Sequence, residues 1–233
     1  MKIRMTSTEI IAWLHARANA ANVAGLARYG IRSKHMLGVN MPALRQMVRR
    51  IGRDHALAQE LWASGILEAR ILAGLIDEPA RVTARQMERW ARAFDSWAVC
   101  DQVCSNLFDK TPMAWTKAVA WAGRREEFVK RAGFVLMAAL AVHDKQAADA
   151  AFRPFFRLMH REATDERNFV KKAVNWALRQ VGKRNPALCR AAMQTARRMQ
   201  RLDSRAARWI AADALRELSR RGGSGEQHAG GLS

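Results

Sequence analysis

The chain is short of the residues that would make it a disulfide scaffold, a metal protein or a sheet. Its 233 residues include three cysteines, Cys100, Cys104 and Cys189, an odd number with no C-x-x-C pair. Cys100 and Cys104 lie one helical turn apart, but zinc needs two more ligands at a supporting spacing, and the sequence offers none. Reduced, partly buried thiols are therefore expected. The six histidines are scattered and form no H-E-x-x-H, and no G-x-x-x-x-G-K-[ST] or G-x-G-x-x-G loop is present to cradle phosphates. Any enzymatic chemistry is thus expected to use no metal or nucleotide cofactor. Prolines number only five, and no stretch alternates β-branched with polar residues. No apolar run reaches membrane-spanning length, and MKIRMTSTEI lacks the apolar core of a signal peptide. The expected location is cytoplasmic, or nucleoid-associated in a bacterium. Negative charge is scarce as well: 21 Asp and Glu stand against 40 Lys and Arg, a net charge of +19.

Such an excess raises a positive potential over much of the surface and favours a polyanion as partner. Nucleic acid leads, ahead of an anionic membrane surface and of a protein that is simply basic. A hydrophobic fraction of 49% with 26% charged residues suits a folded chain rather than a disordered one.

Ala, Leu, Arg, Met and Gln dominate, all good helix formers. Apolar spacing of three and four recurs at Leu61, Trp62 and Gly65, at Ile71, Leu72 and Leu75, and at Val170, Val174 and Leu178. Pro42, Pro79, Pro112 and Pro186 fall where helices would begin, with Asp109, Thr111 and Asn185 beside them as candidate caps. Phe128-Val-Lys-Arg-Ala132 returns as Phe169-Val-Lys-Lys-Ala173, 41 residues on. Each copy follows an acidic, polar turn, and a looser third copy begins at Asp203. A period near 40 residues in helical sequence predicts an all-α, HEAT-like α-solenoid of antiparallel helix pairs with a concave basic face. An irregular helical bundle is the alternative. Residues 1–218 read as one repeat domain, and the Gly/Ser-rich tail 219–233 reads as disordered.

The segment with chemical potential is Phe94-Asp-Ser-Trp97-Ala-Val-Cys-Asp101. In a helix Trp97 and Asp101 are i and i+4 and share a face. A carboxylate on a phosphate-binding surface is repelled by its ligand, so it belongs there only with a task. Cleavage of an N-glycosidic bond develops oxocarbenium-like charge on the sugar, which a fixed carboxylate stabilises while orienting water. A tryptophan face also attracts an electron-poor centre. The plainer reading makes Asp101 a cap or an arginine partner and Trp97 a core residue.

From these residues outward the chain resembles the AlkD-like family of DNA alkylation repair glycosylases, which are HEAT-like repeat proteins. The resemblance is carried by Ala27-Arg28-Tyr29 with Leu37-Gly38-Val39-Asn40-Met41-Pro42-Ala-Leu-Arg45, by Glu60-Leu61-Trp62, by Ser96-Trp97 to Asp101, by Arg131-Ala132, and by Phe169 to Arg179 with Asn185-Pro186. It spans roughly Ala27 to Leu218. It implies that Asp101 is the catalytic aspartate and that Trp97 and Trp176 flank the damaged nucleotide and touch its sugar. It further implies DNA contacts from Arg131, Tyr29, Asn40, Met41 and Arg45; composition adds Lys171, Lys172 and Arg179 as phosphate partners. The implied activity is hydrolysis of cationic N3- and N7-alkylated purines from double-stranded DNA by a monomer. A base already carrying positive charge leaves without a general acid, and the sequence shows no obvious one. Ala98 departs from the family, which commonly has aspartate there, and Met41 replaces a small polar residue. Two other readings stand beside this one: a non-catalytic helical-repeat nucleic-acid-binding protein, and a scaffold for an acidic protein partner.

Overall fold

A computed structural model describes residues 5–31 and 33–222, the side chains of 221 and 222 excepted, and contains no strand among them. The chain folds as two compact units, Met1–Met113 and Ala114–Ser233.

The first unit comprises α1 (Ser7–His15), α2 (Ala20–Arg28), α3 (Met41–Ile51), α4 (His55–Ala63), α5 (Leu67–Ile76), α6 (Ala84–Arg92) and α7 (Trp97–Asn106). Helix α5, sequence LEARILAGLI, is buried around most of its circumference, as a helix apolar on all sides must be. It packs against α1, α3, α4 and α7. Gly74 permits the closest of these approaches, because a Cβ there would lie 2.8 Å from Val103 Cγ2. Trp62 and Trp90 stack between α4 and α6 with centroids 4.0 Å apart and planes within 3°. Most entries are capped by side chains: Thr6 forms a capping box with Glu9, and Asn19, Asn40, Asp54, Thr83 and Ser96 each accept a backbone N–H of the first turn. Gly65, grouped above with the helical spacing of Leu61 and Trp62, instead has φ +73° and separates α4 from α5. Side chains rarely adopt that conformation.

The second unit comprises α8 (Ala114–Ala122), α9 (Glu127–His143), α10 (Asp149–Arg161), α11 (Asn168–Gly182), α12 (Pro186–Gln200) and α13 (Arg205–Gly222). Helices α8 and α9, α10 and α11, α12 and α13 are consecutive pairs. α11 lies between α9 and α13 in one row, while α10 meets α12 in the other. The internal repeat explains this order. Phe128 and Phe169 stack at 5.5 Å, and the repeated valine and alanine positions, Val129 and Ala132, Val170 and Ala173, are buried. Ala207 and Ile210 supply the equivalent buried pair on α13. Between the first two copies lies a polar clamp: Lys130 Nζ reaches Glu162 at 2.6 Å and Asp165 at 3.1 Å, while Arg167 bonds Asp165 and the Arg125 carbonyl.

Asn185 caps α12, as its position before Pro186 suggested, by accepting the Leu188 N–H. Asp109 and Thr111 lie in and just after a short 3-10 turn, before α8 begins at Ala114. Asp109 pairs with Lys110, and the Thr111 hydroxyl donates back to the Phe108 carbonyl at 2.8 Å. Both bonds lie at the short 3-10 turn that follows α7, which three residues separate from α8. Helix α13 continues to Gly222, past the boundary drawn at 218, because fully buried Leu218 anchors its last turns and Ser219, Arg220 and Arg221 tolerate helix. The rest of the tail, 223–233, lies outside the described residues.

Gly133 on α9 faces the end of α8, where a Cβ would fall 2.5 Å from the Ala122 nitrogen and 2.9 Å from the Trp121 carbonyl carbon. Gly133→Ala forces backbone apart and is expected to cost about 1–3 kcal/mol, read as a lower denaturation midpoint in urea; an unchanged midpoint would show that the pair is not held at this separation. Burial pushes the Asp165 carboxyl up, but hydrogen bonds from Arg167 and Lys130 outweigh it and bring it down to about 2 from an ordinary 3.8. A depressed carboxylate stabilises above its unfolded-state value and loses that contribution as pH falls through its folded value. The stability difference between wild type and Asp165→Asn should therefore shrink as pH falls from 3.8 toward about 2. A difference that stays constant across that window would assign the clamp no ionic role.

Candidate active site

Helix α7 begins at Ser96, whose hydroxyl accepts the Val99 N–H. This fixes Trp97 in the first turn and Asp101 one turn later, both facing a cleft of about 560 Å³. Tyr29, Asn40 and Met41 line the same cleft, although they come from α2 and from the start of α3. Five sequence-predicted site residues thus converge within the first unit. Trp97 Nε1 donates to the Tyr29 carbonyl at 3.0 Å, which sets the indole's orientation and ties α7 to the end of α2. The Tyr29 side chain remains 73% exposed. Ala98 lines the cleft as well, where a carboxylate would stand one residue from Trp97. Much of the remaining lining is aliphatic, including Leu26, Leu44 and Ile71, so charge inside the cleft acts with less screening than at the open surface.

Asn40 serves the fold directly. Its Oδ1 accepts the Ala43 N–H at 3.0 Å and caps α3, leaving the amide nitrogen as the end that can meet a ligand. Arg45, one turn into α3, is exposed and is not part of the cleft lining.

The sequence reading missed Glu68. It is 1% exposed in the cleft floor, where its carboxylate accepts the Gly38 N–H at 2.6 Å and the Leu37 N–H at 3.0 Å. The Asn22 side chain donates to the Gly38 carbonyl from the opposite side at 2.9 Å. Gly38 is required here: φ is +76°, and a Cβ would lie 2.4 Å from the Asn19 carbonyl oxygen. An acid within the apolar run of α5 was the available signal, since a buried carboxylate needs donors. Those donors are backbone groups 30 residues away, invisible to spacing.

Cys104 is fully buried. Burial, followed by the Cys100 hydrogen bond and charge and then by Asp101 and Asp109, pushes its thiol well above the usual range. Among the described residues no group of three His, Cys, Asp or Glu side chains could hold a metal ion, and no helix is long and apolar enough to cross a membrane.

The remaining predicted residues lie in the second unit. Trp176 is half-buried on α11 and Lys172 is exposed. Lys171 places its ammonium over the Trp209 ring at 5.2 Å. Arg131 is 6% exposed and donates to the Phe169 carbonyl at 2.6 Å. Arg179 pairs with Glu217 and, at 3.6 Å, with Asp213. Arg131 and Arg179 thus bind α11 to its neighbours in this structure, Arg131 having entered through the family resemblance and Arg179 through composition.

The described residues form an all-helical protein with a carboxylate in an aromatic-edged cleft. A family model described as "DNA alkylation repair enzyme" matches residues 10–218, and the chain belongs to that family. No curated protein matches it. A solved structure superposes with a TM-score of 0.76 at 20% identity, covering 93% of this chain and 95% of the other. That protein is described as "A new family of proteins related to the HEAT-like repeat DNA glycosylases with affinity for branched DNA structures". The match shows that this chain has the HEAT-like fold.

Glu68→Gln replaces one acceptor oxygen with an NH₂ that faces backbone donors. Because hydrogen bonds to charged groups contribute about 1.5–3 kcal/mol, the variant should lose on the order of 1–3 kcal/mol in chemical denaturation. It should also expose the 36–40 segment to faster amide exchange. Exchange at wild-type rates would mean that Glu68 does not hold this wall of the cleft.

Proposed function

We propose that the protein binds double-stranded DNA and hydrolyses the N-glycosidic bond of cationic N3- or N7-alkylated purines. The observation that carries this reading is the Trp97–Asp101 turn, a carboxylate one turn from an indole in a partly apolar cleft on a chain of net charge +19. Near phosphates such a carboxylate is unfavourable in the ground state and becomes favourable when positive charge develops on the sugar. The C1′–N bond breaks with its electron pair passing to the base, whose positive charge is thereby cancelled. Asp101 stabilises the oxocarbenium-like sugar and orients the water that adds to C1′, and the water's proton leaves to the carboxylate or to solvent. Trp97, one turn from Asp101, holds the deoxyribose, a task that the family resemblance also gives to Trp176. Tyr29, Asn40 and Met41 approach the duplex from the cleft edge, while Arg45 and Lys172 suit phosphates.

Ala98 on the cleft wall favours a second reading, in which the scaffold binds DNA without turnover. The solved neighbour's described affinity for branched DNA agrees with that alternative. Single-turnover release of 7-methylguanine from a defined duplex separates the two. Wild type should release the base, and Asp101→Asn should release it roughly ten- to a thousandfold more slowly, as expected on removing an electrostatic stabiliser. Equal release by both proteins would move the catalytic residue elsewhere. No release by either, with duplex binding intact, would establish the binding reading.

A further inference from the structure

The row of the second unit that does not carry Trp176 has a charge pattern of its own. On α10, Arg153, Arg157 and Arg161 are spaced i, i+4, i+8; on α12, Arg190 and Arg197, with Arg201 at its C-cap, are spaced i, i+7, i+11. Each set lies along one helix face, and all six are exposed. The opposite faces are buried through Phe152, Phe155 and Met159 on α10 and through Leu188, Ala192 and Ala196 on α12. The two helices pack on each other, and each turns its arginine stripe to solvent.

A face that served only solubility would mix signs, because like charges one turn apart repel and opposite charges stabilise. Here the signs are not mixed. Helix α12 contains no acidic residue, and the one acid of α10, Asp149, accepts a hydrogen bond from Asn185 at 2.7 Å. Arg161 is paired with Glu162. No carboxylate among the described residues pairs with Arg153, Arg157, Arg190, Arg197 or Arg201. Arginines repeated at one-turn intervals can meet successive phosphates of one strand, each through a planar fork of donors.

We propose that this α10–α12 face is a second DNA-backbone surface, which engages a duplex segment other than the one held at the lesion site. The proposal takes from the preceding section the reading that the chain binds duplex DNA, and it is independent of base release. A protein with two such surfaces bridges two duplexes.

The test saturates an immobilised duplex with the full chain and measures capture of a second, fluorescent duplex. Wild type should capture it at roughly 50 mM salt and lose it steeply as salt rises, because each phosphate contact adds about 0.9 to the salt slope. The variant Arg157→Ala/Arg190→Ala/Arg197→Ala/Arg201→Ala changes exposed positions to the best helix former, and circular dichroism checks its fold. It should keep the first duplex within about twofold and capture the second at least about tenfold less, as loss of up to four phosphate contacts requires. Capture unchanged in the variant, or absent in wild type, overturns the proposal. An equal loss of the first duplex also overturns it, since the stripes would then belong to one continuous surface. A wild type that bridges through these arginines yet releases no 7-methylguanine overturns the glycosylase reading alone.

Discussion

A buried carboxylate beneath a glycine turn gives the cleft its shape. Glu68 has few water contacts available, so the N–H groups of Leu37 and Gly38 must satisfy it. In doing so they bring the 37–40 segment down onto α5. That segment places Asn40 at the start of α3, and the α3 entry places Met41 beside Trp97 and Asp101. Asn22 and the Asn19 carbonyl press Gly38 from the other side, so α2, α3, α5 and α7 form one cleft around a single satisfied charge.

The two units solve their packing problems differently. In the first, one apolar helix, α5, is surrounded by its neighbours, and close approach at Gly74 lets α7 lie near enough to share its residues with the cleft. In the second, a repeated F-V-K-[RK]-A segment places the same apolar positions on successive pairs. Charges buried on that segment are used to lock pair to pair, as Lys130 does with Glu162 and Asp165. A chain with 40 cationic residues therefore spends several of its lysines and arginines inside its own framework. Exposed cations along α3, α6, α10 and α12, and Lys172 on α11, remain open to an anionic partner.

Cleavage and binding place different demands on these groups. Phosphate binding needs exposed cations on rigid helices, which the fold supplies many times over. Stabilising a sugar cation, the task proposed for Asp101, needs a carboxylate held against the electrostatic preference of a strongly basic chain. Ala98 beside it carries no carboxylate, and the other acid of the cleft, Glu68, is taken up by the Leu37 and Gly38 N–H groups.

The helical class was legible because apolar spacing of three and four is a local property of the chain, and the repeat because both copies were written in nearly the same letters. Trp97 and Asp101 were legible as a pair for the same reason: four residues on one helix share a face whatever surrounds them. Tyr29, Asn40 and Met41 entered through family resemblance alone, since nothing local brings them to α7. Tertiary structure decided which cations are spent on packing, so that Arg131 and Arg179 became partners of a carbonyl and of carboxylates rather than evident phosphate ligands. It also decided that Gly65 would break a helix, that α13 would run on to Gly222, and that Glu68 would hold the cleft. For Glu68, Arg131 and Arg179 the cause is a contact between residues distant in sequence, and periodicity carries no information about such contacts.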